Sequence, residues 1–374
     1  MKKRKDSTAE LPQVAATIKD VAELSRVSIA TVSRVMNNIG VVNPETEKRV
    51  RAAIATLDYR RNNVARALKM RSTRTIGFIC PDLSNIFFTE IVDRIENILG
   101  PLGYSLVVCS SAHSVDEEKR KVSILLDRNV DGIIAAPAGN AHDAFSPCAR
   151  AHVPVVFIDR VVPGASYDVV LTDNHRGAYE ATEALIREGH RKIGFLGGTL
   201  DVYTTRERLA GYEQALQDNG ITVDERFLFF GGMSLGDGSL LMRKALSQDD
   251  APEAYFLVNE LVHVGASAYL LEEVPLAERS RIVFASFDYM HYAPLLRFCH
   301  YAVAQQVAAI GAEAAALIRR RIDGDRAGFP ANIMLKPEIK VMINNGGIIS
   351  NPEFLPVGLG KKTAFRDSAG VAKD

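Results

Sequence analysis

At 374 residues and 47% apolar content, the chain is long enough for two or three domains with real cores, which excludes a disordered protein. Its formal net charge of +0 hides an asymmetry: the first 74 residues hold 16 of the 45 Lys+Arg but 7 of the 45 Asp+Glu, leaving 29 against 38 in the remainder. A basic head on an acidic body is the charge footprint of a nucleic-acid-binding module joined to something else.

The chain opens Met-Lys-Lys-Arg-Lys, followed by Asp6, Glu10 and Pro12 where a secretory signal needs an apolar core. Residues 1–16 therefore read as a flexible basic arm, and a cytoplasmic location is expected. No apolar run approaches the length of a membrane span. The four cysteines, at 80, 109, 148 and 299, show no Cys-x-x-Cys spacing, so neither a disulfide framework nor a metal site is expected.

From residue 17 the spacing predicts two short helices joined by a tight turn. Ile18, Val21 and Ala22 fall at i, i+3 and i+4, and Val32, Val35 and Met36 repeat the pattern, giving each helix one apolar face. Thr17 is placed to cap the first helix, with Asp20 as its capping-box partner, and Ser28 to cap the second. The residues between the two faces, 24–27, suit a helix-turn-helix. Ile29, Ala30 and Arg34 point away from the apolar face. Ser28, Thr31 and Ser33 offer hydroxyls to phosphate oxygens, and Arg34 a bidentate bond to a guanine edge. The same pattern also suits an amphipathic helix pair inside an ordinary domain.

Asn43-Pro44 marks a third helix start, and Val50, Ala53, Ile54 and Leu57 give its apolar face. Residues 62–69 form a helix-like segment of about two turns, marginal in water alone. It is flanked by Arg60, Arg61, Arg71 and Arg74, so it reads either as a linker or as a segment that orders on a polyanion.

Beyond Arg74 strands and helices alternate. Strands are expected at 75–80, 104–109, 132–135, 155–158, 192–196, 227–230, 255–258 and 282–287. Helices are expected at 88–99, 116–128, 141–151, 176–188, 206–218, 238–246 and 261–272. Such alternation specifies parallel sheets with helices on both faces, and the strands are too many for one compact sheet. Two lobes follow, with a ligand at the carboxyl ends of the strands. Polar residues gather there: Asp82 and Asn85, Asp159 and Arg160, Asn259, and Asp288, with Phe87 and Phe88 beside Asn85. Acids, an amide and an arginine with an aromatic wall suit a polyhydroxylated ligand. Taken singly, each acid also reads as a helix cap and each phenylalanine as core.

An enzyme is the rival class. Gly232-Met233-Ser234-Leu235-Gly236 fits Gly-x-Ser-x-Gly between a predicted strand and helix, with Asp288 and His291 or His300 downstream in the order of an α/β-hydrolase. Nothing else fits a hydrolase, and neither a Gly-Lys-Ser/Thr phosphate loop nor a His-Glu-x-x-His motif occurs, so no catalytic residue and no cofactor is expected.

The motifs taken together resemble the LacI/GalR family of bacterial regulators. In the head they are Ile18-Lys19-Asp20-Val21-Ala22, Thr31-Val32-Ser33-Arg34-Val35-Met36-Asn37 and Ala65-Arg66-Ala67-Leu68. In the body they include Ile76-Gly77-Phe78-Ile79-Cys80-Pro81-Asp82, Val156-Phe157-Ile158-Asp159-Arg160, Gly189-His190-Arg191-Lys192-Ile193-Gly194-Phe195, Arg208-Leu209-Ala210-Gly211-Tyr212 and Ala302-Val303-Ala304-Gln305. The resemblance implies an all-α helix-turn-helix head at 17–61, a hinge helix and linker at 62–72, and a two-lobed α/β core at 73–345 of the periplasmic-binding-protein type, with a tail at 346–374. It implies a regulator that binds double-stranded, pseudo-palindromic operator DNA as a homodimer, with pairing into tetramers left open. Thr17, Ser28, Ile29, Ala30, Thr31, Ser33, Arg34, Asn37, Asn62, Arg66 and Leu68 fall at DNA-contacting positions, Leu68 as a minor-groove wedge. Asn85, Phe87, Phe88, Asp159, Arg160, Arg208, Asn259, Asp288 and Gln305 fall at effector positions. A sugar or sugar phosphate is the expected effector, with a purine or nucleoside as the alternative.

Four departures from the family pattern stand out. Ser25-Arg26 replaces Ala-Gly at the turn, and Arg61 replaces a proline before the hinge asparagine. Asn259-Glu260 replaces Asn-Asp, and Ser286-Phe287-Asp288 replaces Gly-Phe-Asp.

Overall fold

The computed structural model describes residues 16–37, 39–59, 72–140, 143–289 and 298–342. The chain forms two compact units that part between Thr73 and Arg74. The expected basic arm, most of the hinge segment and the C-terminal tail lie outside the described residues, as does His291.

The head is built from α1 (Ile18–Ser25), α2 (Ile29–Asn37) and α3 (Pro44–Thr56). Thr17 and Asp20 form the expected capping box on α1, and Asn43 caps α3 with Pro44 at its first position. Val21, Val32 and Val50, one from each helix, are fully buried and close the small core with Ala22, Val35 and Ala53. Ser25 is also buried there. Its hydroxyl donates to the Val21 carbonyl at 2.6 Å, which satisfies it within its own helix.

In the body, β1 (Thr75–Cys80), β2 (Ser105–Ser110), β3 (Gly132–Ala135), β4 (Val155–Ile158), β5 (Asp168–Thr172) and β11 (Asn332–Leu335) form one sheet in the order β11-β5-β4-β3-β1-β2, all parallel. The second sheet runs β12-β10-β9-β8-β6-β7. It comprises β6 (Ile193–Leu196), β7 (Leu228–Phe229), β8 (Ala254–Leu257), β9 (Val283–Phe287), β10 (Cys299–Ala304) and β12 (Glu338–Val341). Its members are parallel except β12, which pairs antiparallel with β10. The two sheets have the same order, so β4 and β9 occupy equivalent places in the two lobes.

Helices cover both faces. They are α4 (Ile86–Leu99), α5 (Val115–Asp127) and α6 (Ser146–Arg150) in the first lobe. In the second they are α7 (Asn174–Arg187), α8 (Tyr203–Asp218), α9 (Leu235–Leu246), α10 (Glu260–Glu273) and α11 (Leu276–Arg279). The last helix, α12 (Val307–Ile322), returns to the first lobe, where Ile310, Ala314 and Ile318 join the core of Phe78, Ile91 and Ile95. The chain therefore crosses between lobes three times: after β5, after β10 and after β11. Strands buried on both faces explain the unbroken apolar runs. Tight helix pairs depend on glycine. A Cβ at Gly211 would lie 2.1 Å from the His175 carbonyl oxygen, and one at Gly265 would lie 1.9 Å from that of Leu235.

Where the structure differs from the expected elements, the cause is local. Pro147 opens a helix of one turn, 146–150, where 141–151 was expected. The segment expected as strand 227–230 begins as a 3-10 turn capped by Asp224, leaving two residues of strand. Strands β5, β10, β11 and β12 and helices α11 and α12 have no counterpart among the expected elements. β5 starts on Asp168, a charge inside the sheet that is silent until its partner is seen. Arg321 of α12 meets it with Nε to Oδ2 at 2.7 Å and Nη2 to Oδ1 at 2.9 Å, both side chains being almost wholly buried.

Candidate functional site: an exposed recognition helix and an inter-lobe cleft

On the head, α2 presents Ile29 (45% exposed), Ala30 and Arg34 to solvent, with Val32 and Val35 turned into the core. Ser28 accepts the Thr31 amide at 3.2 Å and lies 2.9 Å from the Thr31 hydroxyl, so both hydroxyls sit at the exposed start of the helix. Ser33 is partly buried. The Thr17 hydroxyl is engaged by Asp20 at 2.8 Å, which gives it a capping duty beside any phosphate contact. The side chain of Asn37, and Asn62, Arg66 and Leu68, lie outside the described residues. Arg26 ends α1 in the left-handed region, φ 53°, with its amide donating to the Ala22 and Glu23 carbonyls. A glycine would adopt that conformation without steric cost.

In the body, the carboxyl ends of both sheets bring polar side chains together. Asp159 follows β4 with φ 64° and Asp288 follows β9 with φ 70°; the two acids stand at equivalent places in the two lobes, each turned out of its sheet by a left-handed residue. Aspartate tolerates this region better than most residues. Arg160 donates from Nε to Asp159 at 3.2 Å and from Nη1 to the Pro137 carbonyl at 3.3 Å. Arg208, on α8, donates from Nε to Asn174 Oδ1 at 2.8 Å and from Nη1 to the Val258 carbonyl, with its guanidinium 3.6 Å from the centre of the Phe287 ring. Burial lowers the Arg208 pKa, and the charges of Asp288 and Asp159 oppose that shift. Burial likewise raises the Asp288 carboxyl, while Arg208 and the Gln305 amide pull it back.

Gln305 sits in the crossover between β10 and α12. Its Nε2 donates to Asp288 at 2.6 Å, and its Oε1 accepts from the hydroxyl of Thr172, at the end of β5. Asn85 caps α4 by accepting the Phe87 amide at 2.9 Å. Asn259 caps α10 by accepting the Val262 amide at 2.9 Å, and donates to the Met233 carbonyl at 3.1 Å. A cavity of about 450 Å³ adjoins this group, lined by Phe87, Glu90, Glu260, Asp288, Gln305 and Lys340 among others.

The structure thus links Arg208, Asp288 and Gln305 through Asn174 and Thr172, sets the Asp159–Arg160 pair within electrostatic reach of them, and places Asn85 and Asn259 at the helix starts around the group. Phe87 reaches the cavity. Phe88 does not: it is 3% exposed and packs into the first lobe's core, edge-on to Phe87. Thr172, Asn174 and Glu260 were missed as site residues. Thr172 and Asn174 gave no signal, because the crossover that brings them in is tertiary. Glu260 was visible only as a glutamate where the family pattern has aspartate.

Ser234 is a helix cap. Its hydroxyl bonds Asp237 in a capping box on α9, and Asp237 also accepts the Ser234 amide at 3.0 Å. His300 faces Glu188 at 3.0 Å. Of the two histidines that motif would need, His300 is thus turned to Glu188 and His291 lies outside the described residues, while Ser234 serves as a cap. The described residues also contain no cluster of ligands fit for a metal and no helix long and apolar enough to cross a membrane.

A capped helix-turn-helix with an exposed recognition face, in one chain with a two-lobed binding core, defines a ligand-responsive DNA-binding regulator. Comparison with known proteins agrees. Residues 17–62 match the profile of bacterial regulatory proteins of the lacI family, and residues 73–327 that of periplasmic binding proteins and the sugar binding domain of the LacI family. The chain is 32% identical over 331 residues to the HTH-type transcriptional repressor PurR of Pasteurella multocida (strain Pm70), covering 87% of this chain and 97% of that protein. It is 31% identical over 330 residues to catabolite control protein A of Priestia megaterium, covering 87% and 99%. Among solved structures, the lac repressor dimer bound to operator and the anti-inducer ONPF superposes with a TM-score of 0.76 at 25% identity, over 88% of this chain and 100% of that one. The complex of the regulator CelR with cellobiose gives 0.63 at 27%, over 87% and 98%. The chain belongs to the LacI family and is a transcriptional regulator of that family.

Proposed function

We propose that the protein is a repressor that binds a pseudo-palindromic operator as a homodimer and is controlled by a neutral, hydroxyl-rich small molecule of the sugar class held between the lobes. Ile29, Ala30 and Arg34 read the major groove, Ser28, Thr31 and Ser33 hold phosphates, and Leu68 opens a central base step from the minor groove. Phosphate contacts make affinity fall steeply with salt. Effector binding changes the angle between the lobes, and reciprocity follows: an effector that weakens operator binding binds the DNA-bound protein more weakly by the same factor. The protein acts without a catalytic residue or cofactor, in the cytoplasm.

The observation that carries the sugar reading is the group of Asp159, Arg208, Asp288 and Gln305, where carboxylates, an amide and a guanidinium meet at the ends of both sheets. Such alternating acceptors and donors match the hydroxyls of a sugar ring. A phosphate is disfavoured. Arg160 and Arg208 both have Nε and Nη1 engaged by protein groups, and the adjoining cavity sets Glu90, Glu260, Asp288 and Glu338 against Lys340. The second reading, a purine effector, draws on the 32% identity to proteins named PurR and on Phe87 at the cavity wall.

The test is selection of bound sequences from a random DNA pool, followed by a screen of mono- and disaccharides, sugar phosphates and purine bases for release or tightening of the selected site. Enrichment of a two-fold-symmetric site and a response to unphosphorylated sugars support the proposal. A response to purines alone overturns the sugar class, and no enrichment with any compound present overturns the repressor reading.

A further inference from the structure

Glu260 is the first residue of α10, in the second lobe, and its carboxylate reaches into the first. Oε1 accepts the Ile86 amide, the first amide of α4, at 2.8 Å. Asn85 satisfies the next amide along, that of Phe87. The start of α4 is therefore closed by one side chain from its own lobe and one from the other, and a carboxylate there faces the positive end of a 14-residue helix. Glu260 is itself 2% exposed, and its own backbone amide lies close to the Asp288 carboxyl and favours its charged form. Two bonded segments meet here: Glu260 with Ile86, and Asp288 with Gln305 and Thr172, the Glu260 amide lying near enough to Asp288 to lower its carboxyl pKa. Together they leave the first lobe, cross the second and return to the first.

We propose that Glu260 is the closing contact of the effector cleft: the bond its side-chain oxygen accepts from the Ile86 amide holds the two lobes together, and breaking it lets them part. The proposal rests on the reading of this cleft as the effector site. The reach is specific to glutamate. An aspartate is one carbon–carbon bond shorter, about 1.5 Å, which would take a 2.8 Å contact beyond hydrogen-bond range.

Closure of this kind responds to protons. The groups facing Glu260 are Glu90 on α4, Asp288 after β9, and Glu338 and Lys340 on β12, with Arg208 acting on Asp288. Burial first, then the charge of Asp288, pushes the Glu260 carboxyl from 4.5 up to about 7; the Ile86 bond lowers it and the Glu90 charge adds to the rise. The closed form thus binds a proton more tightly than the open form, where the carboxyl is solvated. Closure is most favoured at low pH, weakens as pH rises from the ordinary carboxylate value, and levels off above about 7.

The experiment is amide hydrogen exchange on the full chain, without DNA or ligand, resolving Ile86 and corrected for the intrinsic rate, between about pH 5.5 and 8. The wild type should lose Ile86 protection by up to about tenfold per pH unit until about 7, and no further above it. Glu260→Gln, which keeps the reach but not the charge, should protect Ile86 with a much shallower pH dependence than the wild type, the remainder coming from Asp288. Glu260→Asp should lose at least about tenfold of the protection across the range. The amides of Ile91 and Ile95, inside α4, report whether a variant has merely unfolded; should Glu260→Asp do so, Glu260→Gln decides. A wild-type slope retained in Glu260→Gln, or full protection in folded Glu260→Asp, overturns the proposal. Because the measurement needs no operator, failure of the repressor reading would appear separately, as absence of enrichment in the DNA selection.

Discussion

The turn of the helix-turn-helix offers a quantitative check on the head. Arg26 occupies a left-handed position, φ 53° and ψ 47°, at the end of α1. A residue with a Cβ pays about 1–2 kcal/mol there relative to glycine. Glycine gives back about 0.5–1 kcal/mol through its larger unfolded-state entropy. The Arg26→Gly variant should therefore be more stable by about 0.5–1 kcal/mol. In a domain this small such a gain raises the melting temperature by several degrees, about 4–8 °C per kcal/mol in domains of comparable size. Scanning calorimetry of the full chain reads the head's transition, and Arg26→Ala, which keeps the Cβ, serves as the control with no gain. Operator titrations at several salt concentrations add an independent readout: a phosphate contact from the exposed Arg26 side chain of each head would show as a logarithmic salt slope smaller by about 1.8 per dimer in both variants. A melting temperature unchanged or lowered in Arg26→Gly, with Arg26→Ala the same, would refute the strain argument.

Three further outcomes are expected. Asp168→Ala leaves the Arg321 guanidinium buried without its counter-ion, and urea melts should show a loss of about 3–5 kcal/mol in the core; a loss below about 1 kcal/mol would mean the pair is as dispensable as a surface one. Asp288→Asn removes a charge that accepts from Gln305 and faces Arg208, so calorimetric titration with the effector found by screening should show affinity reduced by roughly 10- to 100-fold; equal affinity would remove Asp288 from the site. Leu68→Ala should weaken binding to the selected operator more than binding to random DNA, since a wedge acts through a deformable central step; equal losses on both would sink that role.

Much of the head could be read directly from the chain because its determinants are local. The capping box of Thr17 and Asp20, the Asn43-Pro44 helix start and the i, i+3, i+4 faces of Val21, Val32 and Val50 are short-range patterns, and each helix formed where its pattern lay. Most strands and helices of the body were equally legible, since strands buried on both faces must be continuously apolar. The acids at the strand ends were legible as a set: Asp159 and Asp288 follow their strands immediately.

What the sequence hid is what depends on partners far along the chain. β5 begins with a charge made tolerable inside a sheet by Arg321, 153 residues away, and by the Ala331 amide. Phe87 and Phe88 are adjacent and chemically identical and both join the first lobe's core, yet the helical turn of α4 brings only Phe87 to the cavity wall as well. Gly-x-Ser-x-Gly read as a nucleophile motif until Asp237 was seen to hold the serine as a cap. Glu260 gave only a one-carbon departure from a pattern; three crossings of the chain between lobes set it opposite the start of α4. Local sequence alone determined the three helices of the head and most of the elements of the body, to within a few residues, and which of their faces are apolar, because capping and periodicity act over three or four residues. Only the tertiary structure decided which charges are buried, which are paired and which bridge the cleft, because those depend on groups that meet only when the chain has folded.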